Sequence, residues 1–325
     1  MSNTETMADR AEVQPLPENI RSVQPGSGKC YAIELAWGRL RRGWLRRFRG
    51  GYLSRMAQLR TGSVDGAPHE VLDPRDLKYC RNLCTADWPA QHDPYAWRER
   101  IPFARWGLAE LQLMGWPLLV ATIALCFAPA AWKLLAIGPA VGLGLVVYFF
   151  RDPTRDVPGE AGVIVSPADG KVVDIQRLDH EPFIGGPAVK IGIFLSIFNV
   201  HINRAPLRAK VIQLIYRPGL FLNALNPESA ERNESMWIGL EEDAAPHRKL
   251  IVRQISGLIA RRIVCNLRPG ETMERGHKFG MIKLGSRTEL ILADDQLALE
   301  AQIGDKVQAG STILARYRYE TEGNR

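Results

Sequence analysis

Phe279-Gly280-Met281-Ile282-Lys283-Leu284-Gly285-Ser286-Arg287-Thr288 reads as an apolar strand broken by a Gly-Ser bond, with a second apolar run, Thr288–Leu292, directly behind it. Glycine has no Cβ and tolerates strained backbone angles at low steric cost, so a bend at Gly285 would let the Ser286 hydroxyl approach the carbonyl before it. Two readings follow. In one, Gly-Ser is a turn dipeptide at a strand end. In the other, Ser286 is a nucleophile acting on its own chain at Gly285.

Outward from this stretch, everything after Asp156 has the texture of short β-rich runs. These are Val163–Val165, Lys171–Ile175, Val189–Phe194, Lys210–Tyr216, Leu250–Ile255, Ile259–Cys265, Lys278–Lys283, Thr288–Leu292 and Thr312–Arg316. Gly, Pro and Asn-Pro turns separate them, which predicts a mainly β, antiparallel domain with little helix.

Upstream the pattern changes. Leu111 to Trp132 carries no charged residue, Lys133 interrupts, and Leu134 to Phe150 is again uncharged. Each half approaches the roughly 20 residues that cross a bilayer, so the pair is expected as a transmembrane helical hairpin turning at Pro129-Ala130-Ala131, with Pro117 and Pro139 inside the spans. The alternative is a buried hairpin in a soluble core, although soluble helices seldom run so far without a polar face. Arg98, Arg100 and Arg105 precede the first span and Arg151 and Arg155 follow the second. The positive-inside rule then places both ends, and the catalytic domain, on the cytoplasmic face of the cell (inner) membrane.

Residues 1 to about 30 are polar, include Pro15, Pro17 and Pro25, and are expected as a disordered lead-in with no signal peptide. From 35 to 60, Trp37, Leu40, Trp44, Leu45 and Phe48 interleave with Arg39, Arg41, Arg42, Arg46, Arg47 and Arg49. That composition suits an anionic membrane surface, a solvated basic tail or RNA, and Gly38, Gly43, Gly50 and Gly51 argue against one long helix. The division expected is an N-terminal extension over 1–106, the hairpin over 107–150 and a catalytic domain over 151–325.

The 325 residues have 46% hydrophobic and 24% charged side chains, ordinary globular values, and a net charge of +7 that favours an anionic partner. Five scattered cysteines, an odd number, argue against a disulfide framework. Cys80 and Cys84 with His92 lack a fourth ligand at zinc spacing, so they read as free thiols on one helical face and no metal is expected.

Phe149-Phe150-Arg151-Asp152-Pro153, Val165-Ser166-Pro167-Ala168-Asp169-Gly170-Lys171-Val172, Phe198-Asn199-Val200-His201-Ile202-Asn203-Arg204-Ala205-Pro206 and Gly280–Arg287 occur in that order. Together they resemble phosphatidylserine decarboxylase proenzymes, most closely the shorter archaeal and bacterial type, from about Tyr148 to Tyr319. The segment Ile303–Thr312 is similar to the closing hairpin of barrel-sandwich modules, which supports a β-rich α+β, barrel-sandwich-hybrid-like catalytic domain. No lysine stands at the hairpin tip to be modified, so a carrier role is not expected.

The resemblance implies that the chain cuts itself between 285 and 286. Ser286 Oγ attacks the Gly285 carbonyl, the peptide rearranges to an ester, and elimination and hydrolysis leave a covalent pyruvoyl group on the fragment 286–325. That group forms a Schiff base with phosphatidylserine and serves as the electron sink, so no external cofactor and no metal are implied. The fragments 1–285 and 286–325 would stay associated through sheet hydrogen bonds. Serine needs a base, commonly a histidine oriented by a carboxylate, and the matching motifs supply His201 and Asp169. The larger decarboxylases have a second histidine where this chain has Arg204, and arginine is no base, so His201 is expected to serve in both self-cleavage and decarboxylation. Arg204, Lys283, Arg287 and His277 are candidates to contact the substrate. The loop Phe221-Leu222-Asn223-Ala224, followed by Arg232-Asn233-Glu234, resembles one bordering the substrate entrance.

The implied partners are phosphatidylserine and the anionic inner leaflet, with no nucleic acid expected and a homo-oligomer compatible with the sequence. Two alternatives stay open: a pyruvoyl-dependent decarboxylase of another amino-acid head group, and a non-catalytic membrane-anchored binding module.

Overall fold

Ser286–Ala293, the run behind the Gly-Ser bond, pairs antiparallel with Gly186–Leu195 on one side and Lys249–Ile255 on the other. The computed structural model containing it describes residues 10–26, 28–224, 226, 228–258, 262–283 and 285–318. Two compact units emerge. A β unit comprises residues 1–26, 155–196 and 202–325, and a helical unit comprises 27–154 with 197–201.

The β unit contains β1 (Val163–Val165), β2 (Gly170–Glu181), β3 (Gly186–Leu195), β4 (Ile202–Arg204), β5 (Ala209–Arg217), β6 (Ser235–Glu242) and β7 (Lys249–Ile255). After these come β8 (Ile263–Cys265), β9 (Thr272–Met273), β10 (Lys278–Ile282), β11 (Ser286–Ala293), β12 (Leu297–Leu299), β13 (Lys306–Val307) and β14 (Ile313–Tyr317). An eight-stranded sheet runs β13-β2-β3-β11-β7-β6-β5-β9, and two three-stranded sheets run β1-β14-β12 and β4-β10-β8. Each ladder is antiparallel. The β-rich class expected from the sequence is what the chain adopts. Residues 259–261 of the run Ile259–Cys265 lie outside the described residues.

Successive side chains of a strand point to opposite faces, and β11 shows what this achieves. Leu290 and Leu292 enter the main core with Ile191, Ile193, Ile238 and Val252. Arg287, Glu289 and Ile291 occupy the other face, where Ile291 packs with Ala188 and Ile251. There Arg287 bonds Asp174 at 3.2 Å and Glu289 at 2.9 Å, and Arg253 meets Glu289 at 3.1 Å. Charges this buried persist only when paired.

The polar lead-in departs from its expected disorder over residues 10–26. Ile20 joins the core, Val23 is fully buried, and the Val23 carbonyl accepts from Cys265 N at 2.9 Å. Two apolar side chains and a few backbone bonds tie down a segment whose composition reads as unstructured.

The helical unit holds α1 (Lys29–Phe48), α2 (Gly50–Leu59), α3 (Leu77–Cys80), α4 (Leu108–Cys126) and α5 (Ile137–Phe149). The spans Arg105–Cys126 and Ala130–Phe149 are long and apolar enough to cross a membrane. They form a hairpin in which Gly142 lies beside Leu118 and Gly115 beside Leu143. Residues 127–129 make the turn, and Ala130–Ala136 is a 3-10 segment leading into α5. Phe127, Trp116, Leu134, Ile137 and Val141 are more than half exposed.

Against expectation, the glycines do not break α1, which runs 20 residues. Its inner face, Tyr31, Glu34, Gly38, Arg42 and Leu45, follows helical spacing, and Gly38 lets the helix approach the Tyr79 ring. Arg42 bonds Asp76 at 3.1 Å, and Arg41 pairs with Asp73 and with Asp76. Tertiary packing thus overrides propensity. The opposite stripe, Ile33, Trp37, Leu40, Trp44 and Phe48, is exposed. Cys80 and Cys84 are buried in a small cluster with Val71, Leu77, Ala86 and Trp88, their thiols donating to carbonyls one turn earlier.

Candidate active site

Ser286 opens β11 and is fully buried, and its Oγ has no hydrogen-bond partner among the described residues. An unsatisfied buried hydroxyl costs about 1–3 kcal/mol, and such exceptions in native structures call for a functional or strain explanation. The residue before it supplies a bend that other residues resist. Gly285 has φ of 68°, in the left-handed region that a side chain disfavours by roughly 1–2 kcal/mol. Gly257, just past β7, faces the Gly285 carbonyl so closely that a methyl group built there would overlap the oxygen. Only glycine at 257 keeps that carbonyl where it is.

Asn233 holds this approach in place. Its Nδ2 donates to the Ser256 carbonyl at 2.8 Å and to the Leu222 carbonyl at 2.9 Å, while its Oδ1 accepts from Leu222 N at 2.8 Å. Ser256 N donates to the Glu234 carbonyl at 2.9 Å. The loop 220–224 is thereby clamped to Ser256-Gly257, with Ala224 against the space Gly257 leaves open.

Two residues beyond Ser286 and on the same face of β11, Thr288 belongs to a buried polar network. Asn203 Nδ2 donates to Thr288 Oγ1 at 3.1 Å and to the Pro167 carbonyl at 3.3 Å. Gln254, opposite Thr288 in the ladder, donates to Asn203 Oδ1 at 2.9 Å and to the Val264 carbonyl at 3.2 Å. Three separate motifs of the sequence, at Pro167, Asn203 and Thr288, therefore meet through the Asn203 amide, which binds the Pro167 carbonyl and the Thr288 hydroxyl. Asp169 sits in the first of them, its Oδ2 bonded to Arg155 at 2.7 Å and its Oδ1 accepting from Ala309 N at 2.8 Å.

His201 falls within the helical unit. It is buried, its ring lies 4.5 Å from that of Phe149, and Nδ1 is 2.9 Å from the Asn199 carbonyl. A carbonyl only accepts, so Nδ1 carries the hydrogen and Nε2 keeps its lone pair. Burial, opposed by the Asn199 carbonyl and reinforced by the charge of Arg151, lowers the imidazole pKa to about 4. The ring is neutral at physiological pH. Arg151 fixes the segment by donating to the Phe198 carbonyl at 2.9 Å and to the Tyr148 carbonyl at 2.7 Å. The Phe149–Pro153 motif thus supports the histidine loop.

Of the four residues expected to touch substrate, Arg287 does not come together with Ser286. It projects from the other face of β11 into the ion-pair network, because a single step along a strand reverses the side chain. His277 is exposed in the turn before β10. Arg204 is buried and donates to the Gly276 carbonyl at 3.2 Å. Lys283 is buried at the end of β10, its backbone N bonded to the Arg262 carbonyl at 3.1 Å.

Sequence reasoning missed Gly257, Asn203, Gln254 and Thr288, and passed over Asn233 as part of a polar loop. The available signal was a polar residue inside an otherwise apolar run, at Gln254 and Thr288, since buried polar groups are the informative exceptions.

The family model for phosphatidylserine decarboxylase matches residues 143–315, which include Asp169, His201, Gly285 and Ser286. A phosphatidylserine decarboxylase proenzyme of Rhodopirellula baltica is 49% identical over 243 residues, covering 74% of this chain and 99% of the relative. Proenzymes of the same description from Desulfotalea psychrophila and Chlorobium phaeobacteroides are 41% and 44% identical, over 67% and 62% of this chain and 97% and 92% of their own lengths. The chain belongs to the phosphatidylserine decarboxylase family, and is an enzyme of the carboxy-lyase class.

Proposed function

We propose that this protein converts phosphatidylserine to phosphatidylethanolamine and CO2 at a membrane, using a pyruvoyl group made from its own Ser286. The observation that carries the reading is the Ser286 hydroxyl, buried and without a hydrogen-bond partner among the described residues, directly after a glycine at positive φ. The residues present fit such a group. Gly285 bends the chain, and Gly257, lacking a Cβ, makes room for its carbonyl.

In self-processing, Ser286 Oγ adds to the Gly285 carbonyl carbon and the C–N bond breaks, giving an ester. Loss of the α-proton of residue 286 expels the Gly285 carboxylate, and water then releases the nitrogen as ammonia. His201, neutral and with its hydrogen on Nδ1, is the proposed base for the serine proton. Asp169, held as an acceptor by Arg155 and Ala309, is the proposed carboxylate of the set. A pyruvoyl group supplies the electron-withdrawing carbonyl that takes the substrate amine and stabilises the charge left when CO2 departs. His201 then handles the proton at the substrate α-carbon. Lys283 and Arg204 are the remaining candidates for the head-group anion.

The new fragment would hold its place. β11 is bonded along both edges, to β3 and to β7, and Leu290 and Leu292 anchor it in the core at roughly 1.5–3 kcal/mol each. The spans Arg105–Cys126 and Ala130–Phe149 would cross the bilayer with both ends cytoplasmic, so the chain itself tethers the β unit to the leaflet where its lipid diffuses. The test is to incubate the purified full-length protein with phosphatidylserine in mixed micelles and follow phosphatidylethanolamine by mass spectrometry. Conversion by the wild type and none by Ser286→Ala is expected; conversion by Ser286→Ala, or none by a cleaved wild type, would reject the assignment.

A further inference from the structure

Residues of the helical unit alone enclose a pocket of about 730 Å³ between α1, the segment 75–105 and the first turns of α4, a volume within the range of small-molecule sites. Its lining combines two chemistries. The basic residues are Arg75, Lys78, Arg98 and Arg105. Lys78 is neutralised by Glu34 and Arg105 by Glu99, whereas Arg75 and Arg98 form no ion pair among the described residues. Arg98 lies 4.8 Å from the Tyr95 ring and 5.5 Å from the Trp97 ring, and its Nε is buried with no partner. Burial and the charges of Arg75, Arg105 and Arg41 push its pKa below the ordinary arginine value. An unmatched cationic pair of this kind is stabilised by a bound anion.

The rest of the lining is largely apolar and includes Trp37, Trp97, Leu111, Leu113, Trp116 and Pro117. The last four lie on α4, in the span Arg105–Cys126. Trp37 also belongs to the exposed stripe of α1, so the apolar surface continues out of the pocket along that helix. Tryptophan beside arginine at the end of a spanning helix marks the level of lipid head groups.

We propose that this pocket binds one anionic glycerophospholipid, its phosphate on Arg98 and Arg75 and an acyl chain along Leu111, Leu113 and Trp116. The inference rests on reading α4 as membrane-spanning, and on no catalytic residue. A free phosphate would use the arginines and leave the apolar lining wet; a zwitterionic lipid would leave the cationic excess unmatched. The bound lipid would cover both.

The experiment is native mass spectrometry of the full-length protein released from micelles containing phosphatidylglycerol, phosphatidylserine or phosphatidylcholine with matched acyl chains. Retention of one anionic lipid and loss of phosphatidylcholine is expected. Arg75→Ala with Arg98→Ala should weaken retention by about tenfold or more, the scale of a charge-assisted contact. Ala109→Trp, which fills the pocket from α4, should do the same, and each variant should keep the wild-type elution profile and helical circular dichroism. Equal retention of phosphatidylcholine, unchanged retention in the arginine variant, or displacement of the lipid by an equal concentration of inorganic phosphate would overturn the proposal. So would a folded Ala109→Trp protein that still holds lipid. Conversion of phosphatidylserine, measured on the same preparations, reports on the proposed activity separately.

Discussion

The two units use the same kinds of residue in opposite directions. In the β unit, Leu290, Leu292 and Ile193 are wholly buried, and the polar groups that join them, Asn203, Gln254 and Thr288, are hydrogen-bonded to one another. In the helical hairpin Phe127 is 87% exposed and Leu134 76%, while Glu110 is turned inward. Apolar residues turn to the protein interior in one unit and outward in the other, the arrangement that the proposed bilayer-spanning pair requires. The contrast also divides the proposed chemistry. Ser286 belongs to the unit whose interior is made by the sheet, and His201 to the unit in which Phe149 and Arg151, at the end of the hairpin, hold its loop.

Breaking the histidine should have the largest effect. His201→Ala is expected to slow appearance of the two fragments on a denaturing gel by about a hundredfold or more, the scale of losing a general base, and to abolish decarboxylation in any protein that does mature. Full cleavage without decarboxylation would show that His201 serves only the second step. Next comes the serine side. Gly257→Ala adds a methyl where the Gly285 carbonyl oxygen lies, and a displacement of that size should slow self-cleavage about a hundredfold; a time course at wild-type rate would mean the carbonyl is positioned otherwise.

Stability sharpens the contrast at smaller scale. Leu290→Ala should cost about 2–5 kcal/mol in denaturant unfolding of the solubilised protein, as core truncations do. Phe127→Ser, at the exposed hairpin turn, should fall within about 0.5 kcal/mol in the same detergent. Equal losses would refute the inside-out arrangement. The smallest effect is that of pH. The native imidazole of His201 titrates near 4 rather than at the ordinary 6.5. The unfolded chain therefore takes up a proton that the native state refuses between those values, so stability falls as pH drops through this window and is unaffected by this group above it. The self-cleavage rate should likewise hold down to the lower value, and a rate that halves near 6.5 would contradict a buried neutral base.

Much of this was legible beforehand because it rests on local pattern. Uncharged length announced the hairpin, β-branched runs between Gly and Pro announced the strands, and the Gly-Ser junction stood out inside an apolar run. The central strand β6 was overlooked because Gly239, Glu241 and Glu242 interrupt its pattern. Those interruptions have partners distant in sequence: Gly239 makes room for Phe183, and Glu241 accepts from Ala11 N. Arg287 is next to Ser286 in sequence, yet strand alternation sends its side chain to the opposite face. Gly257 and Asn233 act through contacts with residues far along the chain, which no single stretch displays. The helix α1 formed despite its glycines because Asp73, Asp76 and Tyr79, some thirty or more residues on, receive its inner face.

Intact-mass analysis of the purified protein tests the central claim most directly. The account predicts two species in place of the 36.3 kDa chain, residues 1–285 at their unmodified mass and residues 286–325 lighter by one ammonia. A single unbroken chain that decarboxylates phosphatidylserine would contradict it.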